Sequence, residues 1–286
     1  MPMIPFRKMN GLGNDFVVVD ARSHPYTPST EGVRALGDRA AGIGFDQFII
    51  IAPPPAGETA LMRIINSDGG EVESCGNAAR CVAAILLDEQ SAPEVTIASA
   101  GGPMRAWRAP GGISVDMGTP RFAAADIPLA AGAGDPQALT FDEPLLADLG
   151  PAACANVGNP HAVFFVPSLD AVPLGVVGPM LEHHPVFPAR ANISFVEVEG
   201  PARVRAVVHE RGVGPTRACG TAACAIAAVG HHIGRLAEEV VVELPGGPLT
   251  IGLAGGRIVM TGPYEIDWTG MLGEGVFTRD PEPIKG

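Results

Sequence analysis

The chain has 286 residues, of which 47% are hydrophobic and 17% charged, so it can bury two cores of ordinary size. Its net charge of -12 argues against nucleic acid or an anionic membrane as a partner, because both require clustered positive charge. Five cysteines are a sparse, odd set for a secreted disulfide scaffold, and no signal peptide or transmembrane stretch is evident, so we expect a cytoplasmic protein.

In the first half of the chain, the hydrophobic pattern predicts strands around one buried helix. A glycine-rich turn at 11–13 precedes a first strand, residues 30 to about 41 favour a helix, and residues 42–46 lead into a second strand. The run that follows Cys75 and Gly76 is rich in alanine and contains neither Pro nor Gly, which is typical of a buried helix with an exposed N-terminus. Further strands are expected at 61–66, 94–99, 104–107 and 113–117.

The second half repeats this order of elements. Residues 123–136 are acidic and rich in Ala, Gly and Pro, and we expect them to form a loop. Strand, loop and strand follow, then a strand at 204–208, a second alanine-rich helix that starts at Cys219, and strands that continue to Met260. The predicted fold class is therefore α+β, with two pseudo-symmetric halves that each wrap mostly antiparallel strands around a central helix.

The two cysteine-led helices belong to a repeat that extends along the chain. Cys75 and Cys219 are 144 positions apart, and each is followed by Gly, a small polar residue and alanine. The polar residues that match at an offset of 145 are Asn14 with Asn159 and Gln47 with Asn192. This self-similarity predicts one domain present twice, with halves at 1–119 and 120–264, the tail 265–286 joining the first half, and an active site in the cleft between the halves.

A cysteine at the N-terminus of a helix is well placed for acid–base chemistry. Backbone N–H groups and the positive end of the helix dipole lower a thiol pKa from about 8.5 toward neutrality. If the two halves face each other, Cys75 and Cys219 lie on opposite sides of a cleft, where one thiolate can remove a proton from a carbon and the other thiol can deliver one to its opposite face. The N–H groups that can hold a carboxylate and stabilise its developing charge belong to Gly76, Asn77, Gly220 and Thr221.

The other cysteines and the lysines do not suggest a metal or pyridoxal site. Cys81 and Cys224 lie six and five residues along their helices, so at about 100° per residue they should face the core. Their spacings also differ from those of zinc knuckles. Cys154 stands alone in a strand region and is expected to be a buried structural thiol. Neither of the two lysines lies in a motif for a Schiff base, so we expect no cofactor and no metal.

Six motifs, taken together and in order, resemble diaminopimelate epimerase across nearly the whole chain. They lie at 11–16, 66–69, 74–81, 158–161, 210–212 and 218–221. The resemblance implies interconversion of LL- and meso-diaminopimelate without pyridoxal phosphate, on the route to lysine and peptidoglycan precursors, by a homodimer. Pro215, Arg217 and Ala222 depart from the family pattern near Cys219, but none of these departures removes a reacting group.

The same resemblance implies a role for individual residues. Cys75 and Cys219 resemble the acid–base pair of the family, and His161 and Glu210 resemble the residues that assist it. The residues that resemble the substrate-binding set are Asn14, Gln47, Asn66, Gly76, Asn77, Asn159, Asn192, Glu210, Arg211, Gly220 and Thr221.

Structural explanations are also open for several of these residues. Asn14 and Asn159 follow glycines, where Asn often only stabilises a turn. His161 could be a satisfied structural histidine. Arg211 could form an ion pair with Glu210, although a site that must hold a substrate carboxylate favours bidentate binding by the guanidinium.

Two other functions agree with parts of the sequence. Proline and hydroxyproline racemases also use two cysteines in duplicated halves, but the many asparagines together with Arg211 favour a long substrate with a second amino and carboxylate group over a compact ring. A thiol-based redox or ligand-binding protein without turnover would explain the paired cysteines. It would not explain why polar residues recur at matched positions in both halves.

Overall fold

The structure of the protein is a computed structural model, which describes residues 3–73, 75–273 and 276–280. Two features of the sequence analysis fall partly outside the described residues: Ser74 of the first cysteine motif, and residues 274, 275 and 281–286 of the tail. None of the helices in the described part of the chain has the length and apolar character needed to cross a lipid bilayer.

The chain divides into two compact units. The first unit comprises residues 1–115 and 261–286, and the second comprises residues 116–260. The first unit is therefore formed by both ends of the chain, and the second by its middle.

Strands make up most of both units. In chain order they are β1 (Ile4–Gly11), β2 (Asn14–Asp20), β3 (Gln47–Ala52), β4 (Ala60–Asn66), β5 (Glu71–Val72), β6 (Glu94–Ala98), β7 (Met104–Ala109), β8 (Gly112–Gly118), β9 (Ala152–Asn156), β10 (Pro160–Phe165), β11 (Asn192–Gly200), β12 (Arg203–Glu210), β13 (Gly214–Thr216), β14 (Glu239–Leu244), β15 (Gly247–Ala254), β16 (Arg257–Gly262), β17 (Glu265–Leu272) and β18 (Phe277–Arg279). The helices are α1 (Thr30–Gly37), α2 (Gly76–Gln90), α3 (Pro144–Ala147), α4 (Leu174–Glu182) and α5 (Gly220–His232), with a short 3-10 helix at Leu169–Ala171.

In the first unit, strands surround the helix α2. β1 pairs antiparallel with both β2 and β17, so the tail adds a strand beside the first one. β2 pairs parallel with β3, with Phe16 opposite Gln47, and β3 pairs antiparallel with β4. Every residue of α2 from 76 to 87 is buried, including Arg80, whose Nε donates to the carbonyl of Pro263 at 3.2 Å. The helix thus forms the centre of this unit, as its alanine-rich sequence predicts.

The second unit repeats the same pairings around α5. β9 pairs antiparallel with β10, β10 pairs parallel with β11, and β11 pairs antiparallel with β12. In the parallel pair His161 lies opposite Asn192, 145 positions after the Phe16 and Gln47 pair. All residues of α5 from 220 to 230 are buried apart from Thr221, which is half-buried. The predicted α+β class, with two similar halves that each surround a helix, is confirmed.

The first helix is shorter than its sequence suggests. α1 ends at Gly37, whereas the prediction continued to about residue 41. The carboxylate of Asp38 accepts hydrogen bonds from the backbone N–H groups of Ala40 and Ala41, both at 2.8 Å. A side chain that binds the following N–H groups competes with the helical pattern and turns the chain away.

The fourth helix was not predicted at all. α4 contains Gly178 and Pro179, which both disfavour a helix. Its residues Val177 and Leu181 lie one turn apart on the same face and are fully buried in the core of the second unit. Packing of this face therefore outweighs the poor local propensity. The loop predicted at 123–136 is confirmed, since this segment contains no helix or strand.

Candidate active site

Cys75 stands at the start of α2. It immediately precedes Gly76, has an extended backbone with φ −149° and ψ 109°, and its carbonyl accepts the hydrogen bond of Ala79 that opens the helix. The side chain is half-buried and forms no capping hydrogen bond with α2. Its sulfur lies 3.9 Å from Oδ1 of Asn14. The thiol is thus held at the positive end of a buried helix, where the first N–H groups lack intrahelical partners.

Asn14 is fixed by an acidic residue that the sequence analysis did not single out. Its Nδ2 donates to Oδ2 of Asp46 at 2.8 Å, and the backbone N–H of Asp15 donates to the same oxygen at 2.8 Å. Arg39 joins the two carboxylates, with 2.8 Å to Asp15 and 2.7 Å to Asp46. Because the Asp46 oxygen accepts from Nδ2, Asn14 presents its Oδ1 to the Cys75 sulfur.

Gln47 and Asn66 lie at the same end of the sheet as Asn14. Asn14 and Gln47 begin two parallel strands, and Asn66 is the last residue of β4, directly opposite Gln47. Nε2 of Gln47 donates to Oδ1 of Asn66 at 3.1 Å. This hydrogen bond uses Nε2 of Gln47. The other polar atom of the Gln47 amide, Oε1, is buried and accepts no hydrogen bond from the described part of the chain. An unused buried acceptor at this position can receive a donor from a ligand.

Cys219 stands at the start of α5 in the same way. It precedes Gly220, its backbone is extended with φ −133° and ψ 108°, and its carbonyl accepts from the N–H of Ala223. Cys219 is 6% exposed, and its sulfur lies 3.4 Å from Oγ1 of Thr221. Each unit therefore carries one cysteine immediately before the first residue of its buried helix.

A chain of polar contacts leads from Thr221 to His161. Nδ2 of Asn159 donates to Oγ1 of Thr221 at 3.4 Å, and Oδ1 of Asn159 lies 2.8 Å from Nε2 of His161. His161 is fully buried, and this burial, together with the positive charge of Arg211, lowers its pKa to about 3. The imidazole is consequently neutral at pH 7, and its nearest polar partner is an amide group.

Asn192 connects β10 to the turn after β12. Its Nδ2 donates to the carbonyl of Pro160 at 3.0 Å, and its Oδ1 accepts from the backbone N–H of Arg211 at 3.0 Å. Glu210 is the last residue of β12, and its Oε1 accepts from the hydroxyl of Thr216 at 2.5 Å. The guanidinium of Arg211 is exposed and donates from Nη1 to the carbonyl of Ala189 at 3.1 Å.

Within each unit the structure brings the predicted residues together at one end of the sheet. The sequence analysis missed the residues that hold them: Asp46, Thr216 and Glu182, the last of which accepts the N–H of Gly212 at 2.8 Å. The repeat does not point to Glu182, because the residue 145 positions earlier is Gly37, which has no side chain that could bind a turn.

The remaining cysteines are buried away from the helix starts. Cys81, Cys154 and Cys224 are fully buried. Burial raises the pKa of both Cys81 and Cys154 to about 12. The burial of Cys81 and Cys224 agrees with the prediction from helical spacing that both side chains face the core. Cys75 and Cys219 are the two thiols that stand at helix starts.

The departures from the family pattern lie beside the second cysteine without replacing a site residue. Pro215 is in β13, opposite His209 of β12. Ala222 is fully buried in the first turn of α5, and Arg217 is exposed, with its carbonyl accepting the N–H of Gly246 at 2.7 Å.

Comparison with known proteins gives a consistent result. A family model described as diaminopimelate epimerase matches residues 6–123 and 153–266. The chain is 45% identical to the diaminopimelate epimerase of Rhodospirillum centenum over 94% of this chain and 92% of the relative. It is 48% identical to the diaminopimelate epimerase of Rhizorhabdus wittichii over 91% of this chain and 92% of the relative.

A solved structure extends the comparison to the fold. The crystal structure of a hydroxyproline epimerase from Agrobacterium vitis matches with a TM-score of 0.65, covering 98% of this chain and 94% of the other. At 18% sequence identity this likeness concerns the fold alone.

Proposed function

The chain belongs to the diaminopimelate epimerase family, and we propose that it interconverts LL- and meso-diaminopimelate with Cys75 and Cys219 as its two proton-transfer groups. The observation that carries this proposal is the matched placement of the two cysteines. Each one directly precedes the first residue of a buried helix, at a point where a thiolate is stabilised by N–H groups and the helix dipole.

The proposed reaction breaks one C–H bond and forms another on the opposite face of the same carbon. One cysteine thiolate takes the α-proton, and the electron pair left behind is delocalised into the substrate carboxylate. The thiol of the other cysteine then gives its proton to the carbon from the other side, which inverts the configuration. After one turnover the protonation states of the two sulfurs are exchanged, so the reverse reaction uses the same groups in exchanged roles.

The helix starts also supply the groups that stabilise the intermediate charge. The backbone N–H groups of Gly76, Asn77, Gly220 and Thr221 belong to first helical turns, where they have no intrahelical acceptor. Donors fixed in this way stabilise charge that develops on a carboxylate oxygen, and removing one donor of this kind typically costs about 3 kcal/mol of transition-state stabilisation. The protein residues thus provide both the proton transfer and the electrostatic stabilisation.

We propose that the polar residues at the end of each sheet bind the amino and carboxylate groups of the substrate. Asn14 and Gln47 with Asn66 serve in the first unit, and the buried, unused Oε1 of Gln47 suits an ammonium donor. The guanidinium of Arg211 suits a carboxylate, with Asn159, Asn192 and Glu210 nearby in the second unit.

His161 is proposed to act through Asn159. A buried neutral imidazole is a poor proton donor to a substrate, but its Nε2–H can fix the amide of Asn159, whose Nδ2 is then directed at Thr221. Thr221 in turn contacts the sulfur of Cys219. His161 would therefore assist the acid–base pair by orientation.

A substrate comparison tests the proposed function. Purified protein is incubated separately with LL-diaminopimelate and with trans-4-hydroxy-L-proline, and the stereoisomers are separated by chromatography. We expect meso-diaminopimelate to form and hydroxyproline to remain unchanged. Conversion of hydroxyproline alone would favour the racemase alternative, and conversion of neither would support the non-enzymatic thiol protein.

The setting of the enzyme is proposed from the family resemblance alone. We propose a cytoplasmic homodimer that works without metal or pyridoxal phosphate, in the supply of lysine and peptidoglycan precursors. Light scattering of the purified protein distinguishes a dimer from a monomer of 29.4 kDa.

A further inference from the structure

Two buried residues, Glu182 and His209, meet at the turn that follows β12. Glu182 is 3% exposed and His209 is 4% exposed. Nε2 of His209 lies 2.9 Å from Oε2 of Glu182, while Oε1 of Glu182 accepts the backbone N–H of Gly212 at 2.8 Å. A single carboxylate therefore binds the residue before Glu210 and the residue after Arg211.

A buried carboxylate is costly unless its oxygens are hydrogen-bonded. Burial alone would raise the pKa of Glu182, but the hydrogen bonds from Gly212 and His209 outweigh this effect and the pKa is lowered. Arg190 adds a positive charge, with Nη1 3.7 Å from Oε1. The side chain is thus a carboxylate at neutral pH, and its charge is compensated largely by the turn it holds.

The backbone is shaped to allow this contact. A Cβ atom added to Gly178 of α4 would lie only 2.6 Å from Nδ1 of His209, so only glycine lets the helix approach the ring this closely. Gly212 has a φ of +77°, which also favours glycine. The turn is held from a second side by Asn192, whose Oδ1 accepts the N–H of Arg211 at 3.0 Å.

We propose that Glu182 and His209 are positioning residues, which hold Arg211 in the arrangement that binds the substrate. This inference rests on the proposed function, because it assumes that Arg211 binds a substrate carboxylate. Neither Glu182 nor His209 need contact the substrate. Their effect is transmitted through the backbone of residues 210–212.

In the first unit a positively charged side chain makes a comparable contact with the backbone of a turn. There the turn after β4 contains Asn66 and Asp68, which lie 144 positions before Glu210 and Gly212. Nε of Arg34, from α1, donates to the carbonyl of Asp68 at 2.7 Å. In both units a charged side chain from the helix between the parallel strands binds the backbone of the turn that carries proposed substrate contacts.

A double-mutant cycle tests the proposal. KM and kcat for diaminopimelate are measured for Glu182→Ala, for Arg211→Met and for the double variant, together with the thermal midpoint of each. Glu182→Gln is the conservative variant, since its amide oxygen can still accept the N–H of Gly212. Glu143→Gln is the matched control, because it alters another acid–histidine pair next to α4, in which Nε2 of His184 lies 3.1 Å from Glu143 Oε1.

We expect Glu182→Ala to raise KM by about tenfold or more, because a small displacement of a binding group has a large effect. Glu182→Gln should restore most of the loss, and Glu143→Gln should leave KM at the wild-type value. In the Arg211→Met background, Glu182→Ala should change KM by less than about twofold, because the residue it positions is gone. Should Glu182→Ala fail to fold, His209→Phe replaces it in the cycle, since it keeps a ring of similar size and removes the hydrogen bond.

Two results would overturn the inference while leaving the proposed function intact. One is a KM for Glu182→Ala equal to that of Glu143→Gln in an active enzyme. The other is a pair of effects that multiply fully in the double variant, which would mean that Glu182 acts independently of Arg211. A wild-type protein that does not convert diaminopimelate would instead overturn the proposed function, and this inference with it.

Discussion

Nε2 of His161 lies 2.8 Å from Oδ1 of Asn159. The amide of Asn159 donates from its other end to Thr221, which contacts the sulfur of Cys219. This order of contacts requires that His161 donate from Nε2. Full burial and the positive charge of Arg211 lower the pKa of His161 to about 3, so the donor is a neutral imidazole. The pair thus links a buried histidine to the cysteine without requiring that the histidine exchange protons with a substrate.

The low pKa of His161 predicts a pH-dependent stability. The unfolded chain binds a proton on this residue below pH about 6.5, whereas the folded protein does not until about pH 3. The contribution of His161 to the free energy of unfolding is therefore fully present above pH about 6.5. It is lost as the pH falls toward 3, because protons bind to the unfolded chain in preference to the folded one. His161→Gln should flatten the fall in the free energy of unfolding by up to about 1.4 kcal/mol per pH unit in this window.

Urea unfolding at several pH values measures this slope. His24→Gln is the control, because His24 is exposed. Equal slopes for wild type and His161→Gln would mean that the buried imidazole does not resist protonation.

If Cys75 and Cys219 have the proposed roles, loss of either sulfur should abolish epimerisation. Cys75→Ala and Cys219→Ala each remove the proton-transfer group for one face of the substrate, and neither remaining thiol can serve both faces. Circular dichroism should show folded protein in both cases, since each residue precedes its helix and forms no capping hydrogen bond. Cys154→Ser, in a fully buried thiol away from the helix starts, should keep activity near that of wild type. An active Cys75→Ala or Cys219→Ala variant would rule out the scheme.

Arg211→Met should raise KM for diaminopimelate strongly. The guanidinium of Arg211 is exposed, and a substrate carboxylate that loses its hydrogen bonds to such a group should bind about 1.5–3 kcal/mol more weakly. The backbone N–H of residue 211 would still donate to Asn192, so the turn itself should persist. Steady-state kinetics measures the effect, and an unchanged KM would assign Arg211 a structural role.

The thiols should differ sharply in their reaction with iodoacetamide. Only a thiolate reacts, and burial raises the pKa of Cys81 and Cys154 to about 12, so these two hold almost no thiolate at pH 8. Cys75 is half-buried at a helix start and should be modified first. Peptide mapping by mass spectrometry identifies the site, and diaminopimelate should protect it. Earlier modification of Cys81 or Cys154 would contradict the burial on which this order depends.

The starts of the two central helices follow from local sequence pattern and were predicted correctly. The starts of α2 and α5 were evident because a cysteine, a glycine and a small polar residue precede an uninterrupted alanine-rich run, and the repeat confirmed each by the other. The parts that depend on tertiary packing were not. α4 contains Gly178 and Pro179 and is helical because Val177 and Leu181 are buried, a fact that no local pattern carries.

The candidate site shows the same division. Asn14 and Gln47 could be predicted as site residues because their positions match those of Asn159 and Asn192 at a constant offset beside a strand. Asp46 and Glu182 were missed because they act by binding other site residues, Asn14 in one case and the N–H of Gly212 in the other. These hydrogen bonds join segments that are about 30 positions apart along the chain. Their partners cannot be read from the sequence, because they depend on how the chain folds.

The isotope content of both stereoisomers at early times tests the two-base reaction most directly. Purified protein converts LL-diaminopimelate in deuterated water, and the reaction is stopped while little product has formed. If one cysteine removes the proton and the other, already exchanged with solvent, delivers its own, the meso product carries deuterium at the inverted carbon and the remaining LL substrate carries none. Product that retains the original hydrogen would show that a single group serves both faces, and would contradict the roles proposed for Cys75 and Cys219.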